Sequence, residues 1–98
     1  MPVRYNLKLS SDADQDLSLI YEYGFKTWGE DRADNYYDAL IEHFDHLCEN
    51  PFLYAAIDEI RIGYRRSVCG SHSIYYRIAD YTVEVMAVIS RQNLEDRL

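Results

Sequence analysis

Val3, Tyr5, Leu7 and Leu9 alternate with Arg4, Asn6 and Lys8, the period of a half-buried strand. Ser10 or Ser11 then offers an N-cap, and Asp12, Asp14 and Asp16 fall where carboxylates favour a helix dipole. Ala13, Leu17, Ile20, Tyr21 and Gly24 follow at helical spacing, predicting an amphipathic helix to about Trp28, with Trp28-Gly29 as its stop. Glu30 or Asp31 opens a second helix. Its stripe is Ala33, Tyr37, Leu40, Phe44 and Leu47, and Asn50-Pro51 ends it. Helices separated by so short a break should pack as an antiparallel hairpin.

Pro51 to Asp58 reads as a loop holding Phe52 and Tyr54. Three strands are expected after it, at about Ile60–Val68, His72–Ala79 and Thr82–Ile89, with turns at Gly70-Ser71 and Asp80-Tyr81. The last is apolar at nearly every position from Val83 to Ile89, which suits a central strand. The expected fold is α+β, ordered β-α-α-β-β-β, with the helical hairpin on one face of a mainly antiparallel sheet. No repeat or linker interrupts it, so residues 1–98 read as a single domain.

Composition narrows the class. With 48% hydrophobic and 28% charged residues, the chain is of folding composition. No apolar run approaches the ~20 residues of a membrane span, and MPVRYNLKL lacks a signal-peptide core. Two cysteines, Cys48 and Cys69, make no disulfide framework, so a reducing, cytoplasmic location is the expectation. The net charge of −7 lies entirely in residues 1–50, where four Lys/Arg face eleven Asp/Glu. By contrast, Arg61 to Arg77 holds four arginines and no acid. An acidic side and a cationic side are expected, and the overall charge opposes nucleic-acid binding.

Little catalytic chemistry is visible. His43 and His46 lie three apart among Glu42, Asp45 and Glu49, but off the apolar stripe, so a solvated acidic flank is expected rather than a metal site. Ser71, His72 and Ser73 alternate across a strand and cannot align as a triad; His72 reads as a strand-start residue with a local hydrogen bond. Phosphate-loop, HExxH and CxxC motifs are absent, and no cofactor is implied. Tyr21, Tyr37, Tyr64, Tyr76 and Cys48 read as core, whereas Tyr23, Tyr36 and Tyr75 suit a contact surface. Strand phase places Tyr75 and Arg77 on the face away from the helices, and Arg61 and Arg65, sharing a face of the preceding strand, are expected on that same open face. With Arg66, and with Arg91 at the end of the last strand, they form the expected partner-binding surface.

The element order and several strings resemble the ParE branch of the RelE/ParE toxin superfamily over nearly the whole chain. The strings are Ala13 with Asp16-Leu17 and Ile20, Trp28-Gly29, Ala33 with Tyr37, and Asn50-Pro51. They continue through Glu59-Ile60-Arg61, Gly63-Tyr64-Arg65-Arg66, Gly70-Ser71-His72, Ile74-Tyr75-Tyr76-Arg77 and Val83-Glu84-Val85. The resemblance implies the toxin of a type II toxin–antitoxin pair, which inhibits DNA gyrase without being an enzyme. It also implies neutralisation in a hetero-oligomer with a ParD-like antitoxin. The chain departs from the family where the last strand commonly ends in a histidine and an Arg-Met pair; here the exit reads Ser90-Arg91-Gln92-Asn93.

Two alternatives are carried forward. A ribosome-dependent ribonuclease of the RelE type could draw phosphate contacts from Arg61, Arg65, Arg77 and Arg91. It also needs a group to activate the 2′-hydroxyl, and no histidine or tyrosine follows Tyr81. A non-toxic relative that only binds its antitoxin is the other. An acidic antitoxin tail should pair with the arginines, its apolar part lying between hairpin and sheet or adding to the Val3–Leu9 edge.

Overall fold

A computed structural model of the chain describes residues 3–90. The order is β1 (Asn6–Leu9), α1 (Ser11–Trp28), α2 (Glu30–Glu49), β2 (Tyr64–Cys69), β3 (His72–Ala79) and β4 (Thr82–Ser90). The strands lie β1-β4-β3-β2, with β1 parallel to β4 and the other pairs antiparallel. The α+β class, the strand order along the chain and the central position of the last strand are as the sequence predicts.

A single residue joins β1 to α1, and it works on both. Ser10 donates its amide to the Val85 carbonyl (2.9 Å), continuing the β1–β4 ladder. Its hydroxyl accepts from the Ala13 amide (3.0 Å) as the N-cap and donates to the Met86 carbonyl (2.9 Å). β1 pairs with β4 only from Thr82 to Val85. Beyond that point α1 lies along β4, and the buried carboxylate of Asp16 accepts from the Val88 amide (2.9 Å).

Gly29 turns the chain between the helices. At φ 93° it occupies a region open to glycine, donates to the Phe25 carbonyl (3.1 Å) and accepts from the Ala33 amide (3.1 Å). The helices then run antiparallel, with Tyr21 edge-on to Tyr37 and Gly24 against Ala33. Between hairpin and sheet lies the main core: Leu17, Leu40, Phe44, Leu47, Ile74, Tyr76, Val83, Val85 and Val88 among others. Cys48 belongs to it and Tyr37 is half-buried against it, whereas Tyr21, expected in the core, is half-buried between the helices with its hydroxyl on Asp34 (2.6 Å).

Both hairpins close where expected. The β3–β4 turn has positive φ at both Asp80 (52°) and Tyr81 (56°), the geometry that matches strand twist in a two-residue loop. Tyr81 is held there by β1: its carbonyl accepts from Asn6 (2.8 Å) and its ring packs on Tyr5 at 5.4 Å. Two strand limits differ from the sequence reading. β1 begins at Asn6 rather than Val3, because Tyr5 donates instead to the Cys48 carbonyl at the end of α2 (2.9 Å). β2 begins at Tyr64 rather than Ile60, because Asp58 caps the Gly63 amide (2.9 Å) and Gly63 adopts φ 84°, holding the preceding residues in turns.

Replacing Asp16 by Ala leaves the buried Val88 amide without that acceptor. We expect a loss of ~1–3 kcal/mol in urea unfolding, with Asp16→Asn, which keeps an acceptor oxygen, losing less than half as much.

Candidate functional site

Residues paired directly across neighbouring strands point to the same face. Arg65 pairs with Tyr76 and Ser67 with Ile74, so both face the helices; Arg66 pairs with Tyr75 and Tyr64 with Arg77, so these face away. The expected arginine surface is therefore divided by the sheet. Arg65 reaches past the end of α2, where it donates to the Tyr54 carbonyl (2.6 Å) and lies 5.2 Å over the Phe52 ring. Arg61 is not on a strand and does not share a strand face with Arg65; it lies 5.1 Å over the Tyr64 ring. Arg77 is tied to Glu84 through Nε and Nη2, each at 2.7 Å, and Lys8 approaches the same carboxylate at 3.7 Å. Arg91 lies outside the described residues.

What remains is divided at the edge where the loop between α2 and β2 meets the sheet: Arg65 is on the helix face, and Arg61, over the Tyr64 ring, and Arg66 are on the other. Arg61, Arg65 and Arg66 have no carboxylate partner among the described residues, whereas Arg4, Lys8, Lys26 and Arg77 each do. Beside them Phe52, Leu53, Ile60 and Ile62 are exposed, Ile62 by 87%. The loop is fastened to the edge of β2: Ile57 donates to the Tyr64 carbonyl (2.8 Å) and Arg66 to the Ala55 carbonyl (3.3 Å). This edge thus carries an anchored loop, combining guanidinium forks with apolar side chains, the pairing common in protein interfaces.

Tyr75 is not a contact residue. It is 0% exposed, packed with Ile57, Tyr64, Ala87 and Ile89 in a second cluster on the face away from the helices. The loop carries Ile57 over that face, and periodicity alone gave no sign of it. The Tyr75 hydroxyl is buried and has no hydrogen-bond partner among the described residues. Tyr76, on the helix face, donates to the Pro51 carbonyl (2.9 Å), and burial pushes its phenol up to about 12.

α2 grips the sheet with polar side chains that the apolar stripe does not reveal. His43 is half-buried and bonded to the Ser67 hydroxyl rather than solvated; burial, then the neighbouring His46, lowers its pKa. Tyr36 is likewise half-buried. Its hydroxyl meets His72 Nδ1 at 2.6 Å, accepts from the Ser71 amide (3.1 Å) and lies 3.4 Å from the Cys69 carbonyl. The amide fills one lone pair of the phenol oxygen, so the short contact is best satisfied with the phenol donating to Nδ1. His72 does begin β3; the Ser71 hydroxyl gives its Nδ1 a long local contact at 3.5 Å, and the short one comes from Tyr36 of α2. The pKa of His72 is lowered mainly by burial, with Asp16 opposing. Tyr23 is exposed, as expected of a contact residue. Among the described residues no three His, Cys, Asp or Glu side chains gather to hold a metal.

Comparison with known proteins gives the family. The family model described as the ParE toxin of the type II toxin–antitoxin system parDE matches residues 7–95. Toxin ParE1 of Mycobacterium tuberculosis is 36% identical over 90 residues, spanning 91% of this chain and 92% of that one. Toxin ParE1 of Caulobacter vibrioides is 33% identical over 82 residues, 84% of each chain. The fold is shared with a chain of the chromosomal ParDE system from P. aeruginosa, at TM-score 0.78 and 18% identity over 89% of this chain and 96% of that one. A chain of the toxin–antitoxin complex RelBE2 from M. tuberculosis matches at TM-score 0.69 and 22% identity, over 91% of this chain and 100% of that one. The chain belongs to the ParE toxin family of type II toxin–antitoxin systems. No helix among the described residues is long and apolar enough to cross a membrane.

The Tyr36 contact depends on Gly70. At φ 59°, a Cβ there would stand 2.7 Å from the Tyr36 hydroxyl oxygen and 2.8 Å from Cε1. Gly70→Ala should therefore lose more than ~2 kcal/mol, and only the left-handed backbone penalty of ~1–2 kcal/mol when Tyr36 is already Ala. Thermal unfolding of the two single variants and the double variant measures the difference.

Proposed function

We propose that this chain acts by binding proteins and breaks no bonds itself: it inhibits DNA gyrase, and a ParD-like antitoxin in the same cytoplasm neutralises it. The observation that carries the binding role is the pair Arg61 and Arg66 on the face away from the helices, with Arg65 on the other face at the same edge. In a chain with seventeen acids and ten Lys/Arg, these three have no carboxylate partner among the described residues, and exposed apolar side chains lie beside them in sequence. An acidic antitoxin segment would bring the missing carboxylates, held by charge-assisted forks. The outer edge of β1, paired on one side only, is open to an added strand. The solved neighbours belong to a ParDE system and a RelBE2 complex, which supports an antitoxin partner here.

The geometry favours this reading over a ribonuclease of the RelE type. Cleavage next to a 2′-hydroxyl asks for cations around one phosphate and a group that takes a proton nearby. Here Arg65 and Arg77 lie on opposite faces of the sheet, and Arg77 is already neutralised by Glu84. Tyr76 is buried with its hydroxyl engaged and its pKa raised, so it is a poor base.

With purified gyrase, the chain should block supercoiling or trap cleaved DNA. Cleavage of ribosome-bound message with gyrase unaffected would transfer the assignment to the RelE type. Tight antitoxin binding with neither effect would make it a non-toxic relative.

Charge reversal locates the antitoxin surface. Arg61→Glu and Arg66→Glu, both on exposed side chains, should each weaken a ParD-like antitoxin by ~10-fold and flatten the salt dependence of binding. Unchanged affinity in titration calorimetry would remove this pair from the interface.

A further inference from the structure

A cavity of about 260 Å³ opens between the later turns of α1, the start of α2 and the β2–β3 turn. Its walls are largely rings, Tyr21, Tyr23, Trp28, Tyr36 and Tyr37. Tyr23 and Trp28 are 67% and 56% exposed, although aromatic side chains of this size gain by burial. The core uses a different stripe of α1, built on Ala13 and Leu17, so packing does not account for these two rings.

The polar groups of the cavity are of one kind. Arg32, Ser71 and His72 line it, and no carboxylate does, in a hairpin whose residues 11–50 hold eleven acids and two cations. The Arg32 guanidinium lies 4.4 Å over the Trp28 ring and has no carboxylate partner among the described residues. A guanidinium stacked on a ring keeps its N–H fork in the plane, directed at whatever lies beside the ring.

We propose that this cavity is a binding site for a small planar aromatic carboxylate, its ring stacked among Trp28, Tyr23 and Tyr36 and its carboxylate held by Arg32. The size fits, since an apolar cavity of ~150 Å³ takes benzene, leaving room here for one or two fused rings. Arg32 is the cation of the lining and favours an anion; the Asp34 carboxylate stands behind the wall, held on the Tyr21 hydroxyl at 2.6 Å. This site is separate from the arginines beside β2 and does not depend on the gyrase or antitoxin assignment.

The probes are 1-naphthoate and 1-naphthylmethylammonium, matched in ring and opposite in charge, titrated into the full chain by ¹H–¹⁵N NMR. The chain has one tryptophan, so the Trp28 indole N–H is a single reporter inside the cavity. Naphthoate should saturate the shifts of Trp28, Ser71 and His72 with a Kd of ~1 mM, ordinary for a ligand of this size. The ammonium probe and the Arg32→Ala variant should each bind at least ~10-fold more weakly, with the rest of the Arg32→Ala spectrum unchanged. Tyr23→Ala, at an exposed position, should weaken naphthoate as well. Equal affinity for the two probes, shifts centred elsewhere, or no saturation by ~10 mM naphthoate would overturn the assignment. So would a partner protein that covers Trp28 when naphthoate does not bind, since the cavity would then belong to that interface.

Discussion

The molecule is organised by the way β4 is completed on one side. A central strand must have both edges satisfied, and β1 runs out at Val85 while β4 continues to Ser90. The chain meets this by starting α1 one residue after β1 ends, so that Ser10 takes over at Val85 and Met86 and Asp16 at Val88. A buried amide left without a partner would lose ~1–3 kcal/mol, a large part of the ~5–15 kcal/mol that separates folded from unfolded domains. The contact therefore fixes where α1 lies. Gly29 then fixes α2 beside it, and α2 reaches the far strand through His43 on Ser67 and Tyr36 on the β2–β3 turn. The β2–β3 hairpin is held by the ladder of β3 to β4, and these polar side chains fasten α2 across it.

That chain of contacts explains what could be read beforehand. Element order was legible because each element carries its own period: two for β1 and β3, helical for α1 and α2, and an unbroken apolar run for β4. Register was partly legible too. Counting outward from a two-residue turn at Asp80-Tyr81 places Ala79 opposite Thr82 and Arg77 opposite Glu84, which is the observed ion pair. The limit of β2 was not, because Ile60 and Ile62 alternate with Arg61 as a strand would. The available signal was Asp58 ahead of Gly63, the components of a capped turn.

The site was less legible than the fold because its residues are sorted by tertiary contacts. Strand phase put Tyr75 on the correct face, but only the return of the loop, with Ile57 over that face, decides that Tyr75 is buried. Arg65 and Arg66 are neighbours in sequence and point to opposite faces of the sheet. His43 and Tyr36 lie just off the stripe of α2, where residue type alone did not distinguish a solvated flank from a groove beside β2. The resemblance to ParE toxins brought the family into view because it rests on strings distributed over every element from α1 onward, and the match over residues 7–95 bears it out.

Charge gives the last step. Pairing two exposed ions stabilises a fold by ~0–1 kcal/mol, so leaving Arg61, Arg65 and Arg66 without a carboxylate among the described residues sacrifices little stability. The same guanidinium, desolvated against a carboxylate of another chain, contributes considerably more and sets both the rate and the specificity of association. A chain with a surplus of seven acids could have neutralised these arginines with almost any neighbour, and it neutralises Arg4 and Arg77 in that way. Left without a carboxylate among the described residues, these arginines take little from the stability of the fold, and the proposed complex would use the charge that the fold does not.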